Sequence, residues 1–228
     1  MNSIIEYFSS VDLDFVTNTT ILLLQGAYVT LKITLVAVSC GVLIGLFVGI
    51  AELSHYKFLR YPAKVYVDII RGTPLLVQIF LIYFALPAIL GFRIEPYIAA
   101  VVACSINSGA YVAEIFRAGI QSVDKGQFEA GRSLGLTWSQ TMGKIVIPQA
   151  FRRTIPQLGN EFIAMLKDSS LVSVIGFEEL TRKGQLIIAA TYKSFEIWSA
   201  VAIIYLVMTL TISRFVAFLE KKYNSKGH

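Results

Sequence analysis

The stretch that decides the fold is EAGRSLGLTWSQTMGKIVIP, residues 129–148, a polar segment punctuated by glycine that lies between two apolar segments. Just before it, Asp124 is predicted to be the N-cap of a short helix that runs through Ser133. Gln127 is its N3 residue, whose side chain can bond back to the N-cap backbone. Gly135 then suits the left-handed residue that commonly follows a helix end.

The second half of this stretch predicts another helix start. Thr137 with Gln140 matches the S/T-x-x-Q capping box. A helix follows, and Pro148 cannot extend it with a normal backbone hydrogen bond. We therefore expect two helices with a sharp bend at Gly135 and Leu136, which in a membrane protein is a candidate docking surface for a soluble partner.

The composition excludes an ordinary soluble domain. The chain has 228 residues, of which 55% are hydrophobic and only 15% charged, and its mean hydropathy is +0.65. These values predict an all-α polytopic membrane protein. The net charge of +5 then reports on topology and is no sign of nucleic-acid binding. No G-x-x-x-x-G-K-[ST] motif is present, so we expect a transport subunit without its own ATPase, and no metal-ligand spacing or cofactor motif is found.

Hydropathy and charge together predict one domain, residues 1–228, with five membrane spans. The predicted spans are about 21–53, 65–90, 96–117, 150–175 and 197–219, with a cytoplasmic loop at about 118–149. The first span carries Gly41, Gly45 and Gly49 on one helix face, a pattern that favours close helix contact in a bilayer.

The placement of lysine and arginine sets the predicted orientation. Residues 54–64 hold three of them in a predicted loop (Lys57, Arg60 and Lys64), residues 117–153 hold six, and the tail from Arg214 holds four, whereas residues 1–19 hold none. All three positive segments lie in the cytoplasm only if an odd number of spans separates the N-terminus from the tail. The weakly apolar fourth segment must therefore cross, with the N-terminus outside and the C-terminus inside.

The spacing of residues 129–148 resembles the EAA motif of ABC-importer permeases, which reads Glu-Ala-Ala, three residues, Gly, nine residues, then Ile-x-Leu-Pro. Gly131 replaces the third small residue and Ile147 replaces the leucine. In that family the motif forms a cytoplasmic coupling helix that fits a groove on the ATPase subunit. The residues that this resemblance assigns to ATPase coupling are Glu129, Ala130, Gly131, Gly135 and Pro148.

Three further stretches resemble the amino-acid-importing branch of these permeases, which includes histidine, glutamine and arginine permeases. They are RGTPLLVQ at residues 71–78, NSGAYVAEIFRAGI at 107–120 and NEFIAMLKDSSLVSVIGFEEL at 160–180. The resemblance implies the ABC type I importer permease fold in a bacterial inner membrane. It also implies two ATPase subunits that bind ATP, a second permease chain (most simply a homodimer), an extracytoplasmic amino-acid-binding protein and surrounding membrane lipid.

The residues Arg71-Gly72-Thr73-Pro74 interrupt the second span and predict a broken helix. Pro74 suits the first position of a new half-helix and Thr73 suits its N-cap. Such an end presents free N–H groups, so it is a candidate cradle for a substrate carboxylate. A proline kink with Arg71 reaching the cytoplasmic surface is an equally good interpretation.

Polar side chains also mark the third and fourth spans. Asn107, Tyr111 and Glu114 share one helix face, and Glu114 lies one turn from Arg117, which favours a structural ion pair for it. On the fourth span Glu161 and Asp168 share a face. Two carboxylates there are costly unless they are paired, for example with Arg71 or Lys167, or serve a cationic or polar amino acid.

The sequence therefore predicts the permease of an ABC importer for polar amino acids, with arginine, lysine or histidine favoured, that works by alternating access. An autonomous channel or secondary transporter, a structural scaffold, and a permease for another solute are the alternatives. The candidate substrate-binding residues are Arg71, Gly72, Thr73, Gln78, Asn107, Glu114, Asn160, Glu161, Asp168 and Ser169.

Overall fold

The structure, a computed structural model, describes residues 13–224 and is helical there, without a strand. The helices are α1 (Leu13–Glu52), α2 (Lys57–Arg71), α3 (Leu75–Leu90), α4 (Pro96–Gln121), α5 (Lys125–Ser133), α6 (residues 138–168), α7 (Leu180–Thr191) and α8 (Ser194–Asn224). A 3₁₀ segment, Ser169–Ile175, joins α6 to α7. Residues 1–12 and Lys226, which entered the count of lysine and arginine, lie outside the described residues.

Within the described part of the chain, three helices are long and apolar enough to cross a membrane, namely Asp14–Glu52, Pro96–Gln121 and Ser194–Lys221. The pair α2 and α3 passes the same test together, with a bend of 104° between its two halves. The predicted all-α membrane fold and the broken second helix are thereby confirmed. Helix α6 is not among the apolar helices, as its composition predicted, so its crossing remains a prediction.

The glycines of α1 bring it into close contact with α4, as predicted. A Cβ added at Gly41 would lie 2.8 Å from the Ser108 side chain, and one added at Gly45 would lie 2.6 Å from Val112. Because both contact positions advance in the same direction, α1 and α4 run parallel. The intervening pair α2 and α3 must therefore return the chain to the end of the bundle where α1 began.

Helix α6 runs antiparallel to α4. At the middle of α6, Thr154 fills the space beside Gly119 at the α4 end. Near the α6 end, Asp168 comes within electrostatic range of Cys104, which is one helix turn from the middle of α4. A helix that accompanies α4 over this length and in the opposite direction is the geometry expected of a further crossing.

Each of two π-helical turns directly precedes a proline-containing turn. Met142–Val146 lies before Pro148, and Leu81–Ala85 lies before Pro87. A proline has no N–H to donate within the helix, and a π turn reroutes the ladder of hydrogen bonds around the gap. As expected, Pro148 does not extend the helix with a normal backbone hydrogen bond, and after the π turn α6 continues through it to Asp168.

The structure contradicts the predicted loop at residues 54–64. Lys57, Arg60 and Lys64 lie on helix α2, which begins eight residues before the predicted start of the second span. Their charges were interpreted as a loop because no apolar run covers them. Helix α2 is instead strongly two-sided, with buried Ala63 and Val67 on one flank.

Helix α5 and the start of α6 form the predicted bent pair, here called the docking hairpin (residues 124–141). Gly135 has φ +81° and closes the bend. The capping box is complete: the Gln140 side chain accepts from the Thr137 N–H at 2.9 Å and Thr137 Oγ1 accepts from the Gln140 N–H at 3.2 Å. At the start of α5, the Asp124 side chain accepts from the Gly126 N–H and not from the Gln127 N–H. The N-cap at Asp124 is therefore confirmed, and the predicted partner Gln127 is not.

Helix α7 is fastened by a buried carboxylate at its start. Glu179 accepts hydrogen bonds from the N–H groups of Thr181 and Arg182, and from the hydroxyls of Thr30 on α1 and Tyr205 on α8. Burial raises the pKa of the Glu179 carboxyl, and these four donors oppose the rise because they favour the anion. One side chain thus links three helices.

The positive φ of Gly135 yields a first prediction. Gly135→Ala must place a Cβ in the left-handed region, which costs about 1–2 kcal/mol. Amide hydrogen exchange of residues 125–141 should therefore accelerate by about 5- to 30-fold. Gly143→Ala is the matched control, because Gly143 has open space around it and no positive φ. Equal exchange in the two variants would contradict the assigned bend.

Candidate functional site

The break between α2 and α3 is built from three residues that leave the helix. Helix α2 ends at Arg71, and the Gly72 N–H still bonds the Asp68 carbonyl at 2.9 Å. Pro74 is extended, with φ −62° and ψ 139°, and acts as the N-cap of α3. The predicted cap at Thr73 is wrong, because its hydroxyl instead donates to the Ile69 carbonyl of α2 at 2.9 Å.

A buried glutamine fills the inside of this break. Gln78 Nε2 lies 2.8 Å from the Ile70 carbonyl and 3.0 Å from the Thr73 carbonyl, both of which the break leaves without a helical donor. Its Oε1 accepts from Asn107 Nδ2 at 3.0 Å. Gln78 therefore holds the bend and orients Asn107 of α4, so it positions the site and does not line it.

A cavity of about 390 Å³ opens at the break. It brings together five of the ten predicted substrate residues, which come from the break itself, from the middle of α4 and from the end of α6. These are Arg71, Gly72, Thr73, Asn107 and Asp168. Tyr111 also lines it, with the Arg71 guanidinium 5.4 Å from its ring centre. Tyr111 was recognised on the Asn107 face but was left out of the predicted site.

The predicted pair of Glu114 with Arg117 is present. Arg117 Nε donates to Glu114 Oε2 at 2.9 Å, and Arg71 Nη1 lies 3.7 Å from the same oxygen. Glu114 thus neutralises part of the Arg71 charge from outside the cavity. Within the cavity wall Arg71 and Asp168 leave one cation and one anion, which suits the carboxylate and the ammonium of an amino acid.

The other predicted residues of α6 lie apart from this cavity. Asn160 is exposed, and Glu161 lies beside Ser108 of α4, whose hydroxyl has no hydrogen-bond partner within residues 13–224. Ser169 is buried, where its hydroxyl donates to the Leu166 carbonyl at 2.8 Å. Its Oγ is also 3.5 Å from Thr34 Oγ1, so it ties the end of α6 to α1.

The docking hairpin presents its side chains to solvent. Glu129 and Ala130 are exposed on α5, and two large apolar side chains, Leu134 and Trp138, are 80% and 50% exposed around the bend. Apolar exposure at a rigid turn is typical of a surface that a partner covers. Gly131 is buried, because a Cβ there would lie 2.7 Å from the Thr141 side chain.

Comparisons with known proteins identify the family to which the chain belongs. Residues 41–225 match the family described as binding-protein-dependent transport system inner membrane component. The chain is 47% identical over 202 residues to the glutamine transport system permease protein GlnP of Escherichia coli (strain K12), covering 88% of this chain and 92% of that protein. It is 39% identical over 203 residues to the arginine transport system permease protein ArtQ of Bacillus subtilis (strain 168), covering 89% and 93%.

Solved structures have the same fold. A crystal structure of an amino acid ABC transporter with histidines aligns with a TM-score of 0.89 at 48% identity, covering 93% of this chain and 99% of that one. An inward-facing structure of the MetNI methionine ABC transporter aligns with a TM-score of 0.74 at 20% identity, covering 89% and 96%. At 20% identity, the similarity to the methionine transporter supports the fold and nothing further.

The role of Gln78 gives a second prediction. Gln78→Leu removes the donor from two part-buried backbone carbonyls, and a buried carbonyl left unsatisfied costs about 1–3 kcal/mol. We expect the free energy of unfolding, measured by denaturant titration in detergent, to fall by at least that amount. Gln25→Leu is the control, since Gln25 is exposed on α1 and its replacement should stay within about 0.5 kcal/mol of the parent protein. A Gln78→Leu protein as stable as the control would rule out this bracing role.

Proposed function

Because this chain belongs to the family of binding-protein-dependent transport system inner membrane components, as a permease of amino-acid ABC importers, we propose that it carries polar amino acids, basic ones by preference, by alternating access. The observation that carries the proposal is the continuity of α6. This helix starts in the docking hairpin at Trp138 and ends at Asp168 in the wall of the cavity.

Helix α6 supplies a mechanical path for coupling. Its residues 138–168 span about 45 Å at 1.5 Å per residue. A soluble ATPase that moves the exposed hairpin, with Glu129 and Leu134 on its surface, therefore displaces a helix whose far end holds Asp168. Because Thr154 and Gly119 interlock along α4, that displacement also shifts α4 and with it Asn107. Switching the cavity between the two faces of the membrane needs such a joint movement.

The cavity's chemistry supports an amino acid as the substrate. In this proposal Arg71 receives the α-carboxylate, while Asn107 and Asp168 receive the α-ammonium, and Thr73 borders the site with its hydroxyl held by the Ile69 carbonyl. Tyr111 keeps the Arg71 guanidinium in place through its ring face. The glutamine and arginine permeases and the histidine-bound transporter named above import or hold polar amino acids, which is in line with this assignment.

The preference for basic side chains is proposed from the remaining charges. Glu161 lies on the same helix as Asp168, and the two carboxylates interact electrostatically. Glu114 already offsets the Arg71 charge at 3.7 Å. In this proposal the carboxylates of Asp168 and Glu161 attract the cationic side chain of arginine, lysine or histidine and repel that of glutamate.

The proposed assembly follows from the same arrangement. A second copy of this chain completes the route, two ATPase subunits bind the docking hairpins, and an extracytoplasmic binding protein delivers the amino acid. The proposed topology places the hairpin and the C-terminus in the cytoplasm, with α7 outside. The five proposed crossings are α1, the α2 and α3 pair, α4, α6 and α8.

Coupling is tested by reversing one charge on the hairpin. Glu129→Lys should weaken the ATPase–permease affinity at least tenfold, because a lost charge-assisted hydrogen bond is worth about 1.5–3 kcal/mol. The measurement is co-purification and titration of the ATPase with the solubilised permease. Glu220→Lys makes the same reversal on α8 and should bind normally. Unchanged affinity in Glu129→Lys would remove the hairpin from the interface.

Substrate choice is tested without the binding protein, which has a selectivity of its own. Equilibrium binding of labelled arginine, glutamine and glutamate to the permease–ATPase complex should rank arginine at least tenfold above glutamate. Asp168→Asn should weaken binding of all ligands tenfold or more. Glu161→Gln should lower arginine binding more than glutamine binding, whereas Glu178→Gln on the α7 side should change neither. Equal binding of arginine and glutamate would refute the charge preference.

A further inference from the structure

The basic residues of α2 form a stripe along one face of the helix. Lys57, Arg60 and Lys64 are spaced i, i+3 and i+7, and Arg71 continues the same face two turns later. No ion pair within residues 13–224 uses Lys57, Arg60 or Lys64. The stripe therefore holds three positive charges that make no ion pair among the described residues.

The two flanks of this stripe differ. One flank is buried against the bundle through Ala63 and Val67, and Tyr66 donates its hydroxyl to the Ile106 carbonyl of α4 at 2.6 Å. The other flank is apolar yet open, with Phe58 71% and Tyr61 72% exposed. Since α2 bends away from α3 by 104°, it does not share the direction of that half-span. The start of α2, with its basic stripe beside an open apolar flank, therefore has the composition of a segment at a membrane interface, where the α2 and α3 pair enters the bilayer.

A cavity of about 980 Å³ lies under the stripe, between α2 and the ends of α1 and α4. Its wall carries five basic side chains, the three of the stripe with Arg71 and Arg117, and three carboxylates, Glu52, Asp68 and Glu114, so the basic groups are in excess. Glu52 is 8% exposed in its side chain, and its Oε2 has no hydrogen-bond partner within the described residues, with Arg117 Nε at 4.0 Å. The cavity thus offers several donors for an anion and one unused acceptor.

We propose that this cavity binds the headgroup of an anionic phospholipid that carries hydroxyl groups, of the phosphatidylglycerol type. The phosphate lies among Lys57, Arg60 and Lys64, a headgroup hydroxyl donates to Glu52, and an acyl chain lies along Phe58 and Tyr61. The open apolar flank favours a lipid over a free phosphate, because a free phosphate has no acyl chain to pack against it. The proposal rests on the proposed topology, in which α2 faces the cytoplasmic leaflet.

The site also touches the proposed substrate cavity. Arg71 lines both cavities, and Glu114 lines the larger one while it contacts Arg71. A headgroup bound beside them lies next to Arg71, the one cation that residues 13–224 contribute to the wall of the smaller cavity. The lipid site and the substrate site are nevertheless separable, because Lys57, Arg60 and Lys64 do not line the smaller cavity.

The test uses the full chain, purified with its ATPase partner and stripped of lipid in detergent. Native mass spectrometry counts bound lipid when phosphatidylglycerol or phosphatidylcholine with the same acyl chains is added. We expect one phosphatidylglycerol to bind at least tenfold more tightly than phosphatidylcholine. Arg60→Gln/Lys64→Gln should weaken it about 30-fold, because each basic residue near a lipid surface contributes about fivefold.

The control Arg214→Gln/Lys221→Gln removes one arginine and one lysine from α8 and should keep the wild-type lipid affinity. Equal binding of the two lipids, or equal loss in both double variants, overturns the proposal. Full competition by inorganic phosphate at equal concentration also overturns it, since it indicates a free-anion site. Labelled arginine binding is measured in the same samples, so a failure of the lipid site with arginine binding intact leaves the proposed function standing.

Discussion

An apolar membrane leaves no water to satisfy a broken helix, and this constraint governs the site. The bend at Gly72–Pro74 frees backbone carbonyls that a continuous helix would have paired. Gln78 supplies donors to two of them and uses its own carbonyl to hold Asn107. Irregular backbone at membrane depth is tolerated only where protein or a cavity receives it, and here both conditions are met.

The need to satisfy the broken backbone also gives the break two different sides, one packed with protein and one open to the cavity. On one side of the break Gln78 is buried and fully engaged, and on the other side Arg71, Thr73 and Asp168 border the cavity. The docking hairpin is rigid for different reasons, namely a left-handed glycine and a complete capping box. Helix α6 joins the docking hairpin to the cavity at the break, so it can transmit a movement of the hairpin to the cavity wall.

Much of this was predictable because the signals are local. Gly135, the Thr137–Gln140 box, the break at residues 71–74 and the Glu114–Arg117 pair each depend on residues a few positions apart. What was missed depends on distant partners or on backbone rerouting. Gln78 meets Asn107 29 residues away, and the π turn before Pro148 leaves no residue pattern that distinguishes it from a helix end. The substrate cavity also needed the end of α6 to meet the break, which only the fold provides.

The central claim is that the cavity at the break changes the face of the membrane to which it opens when the hairpin is driven by ATP. Leu171 lines this cavity, so Leu171→Cys in a Cys40→Ser/Cys104→Ala background reports on it. Modification by a membrane-impermeant thiol reagent is measured from each side of proteoliposomes that contain the ATPase. The account predicts labelling from the cytoplasmic side without nucleotide and from the outer side in the trapped ATP-bound state. Labelling from one side only, whatever the nucleotide, would contradict it.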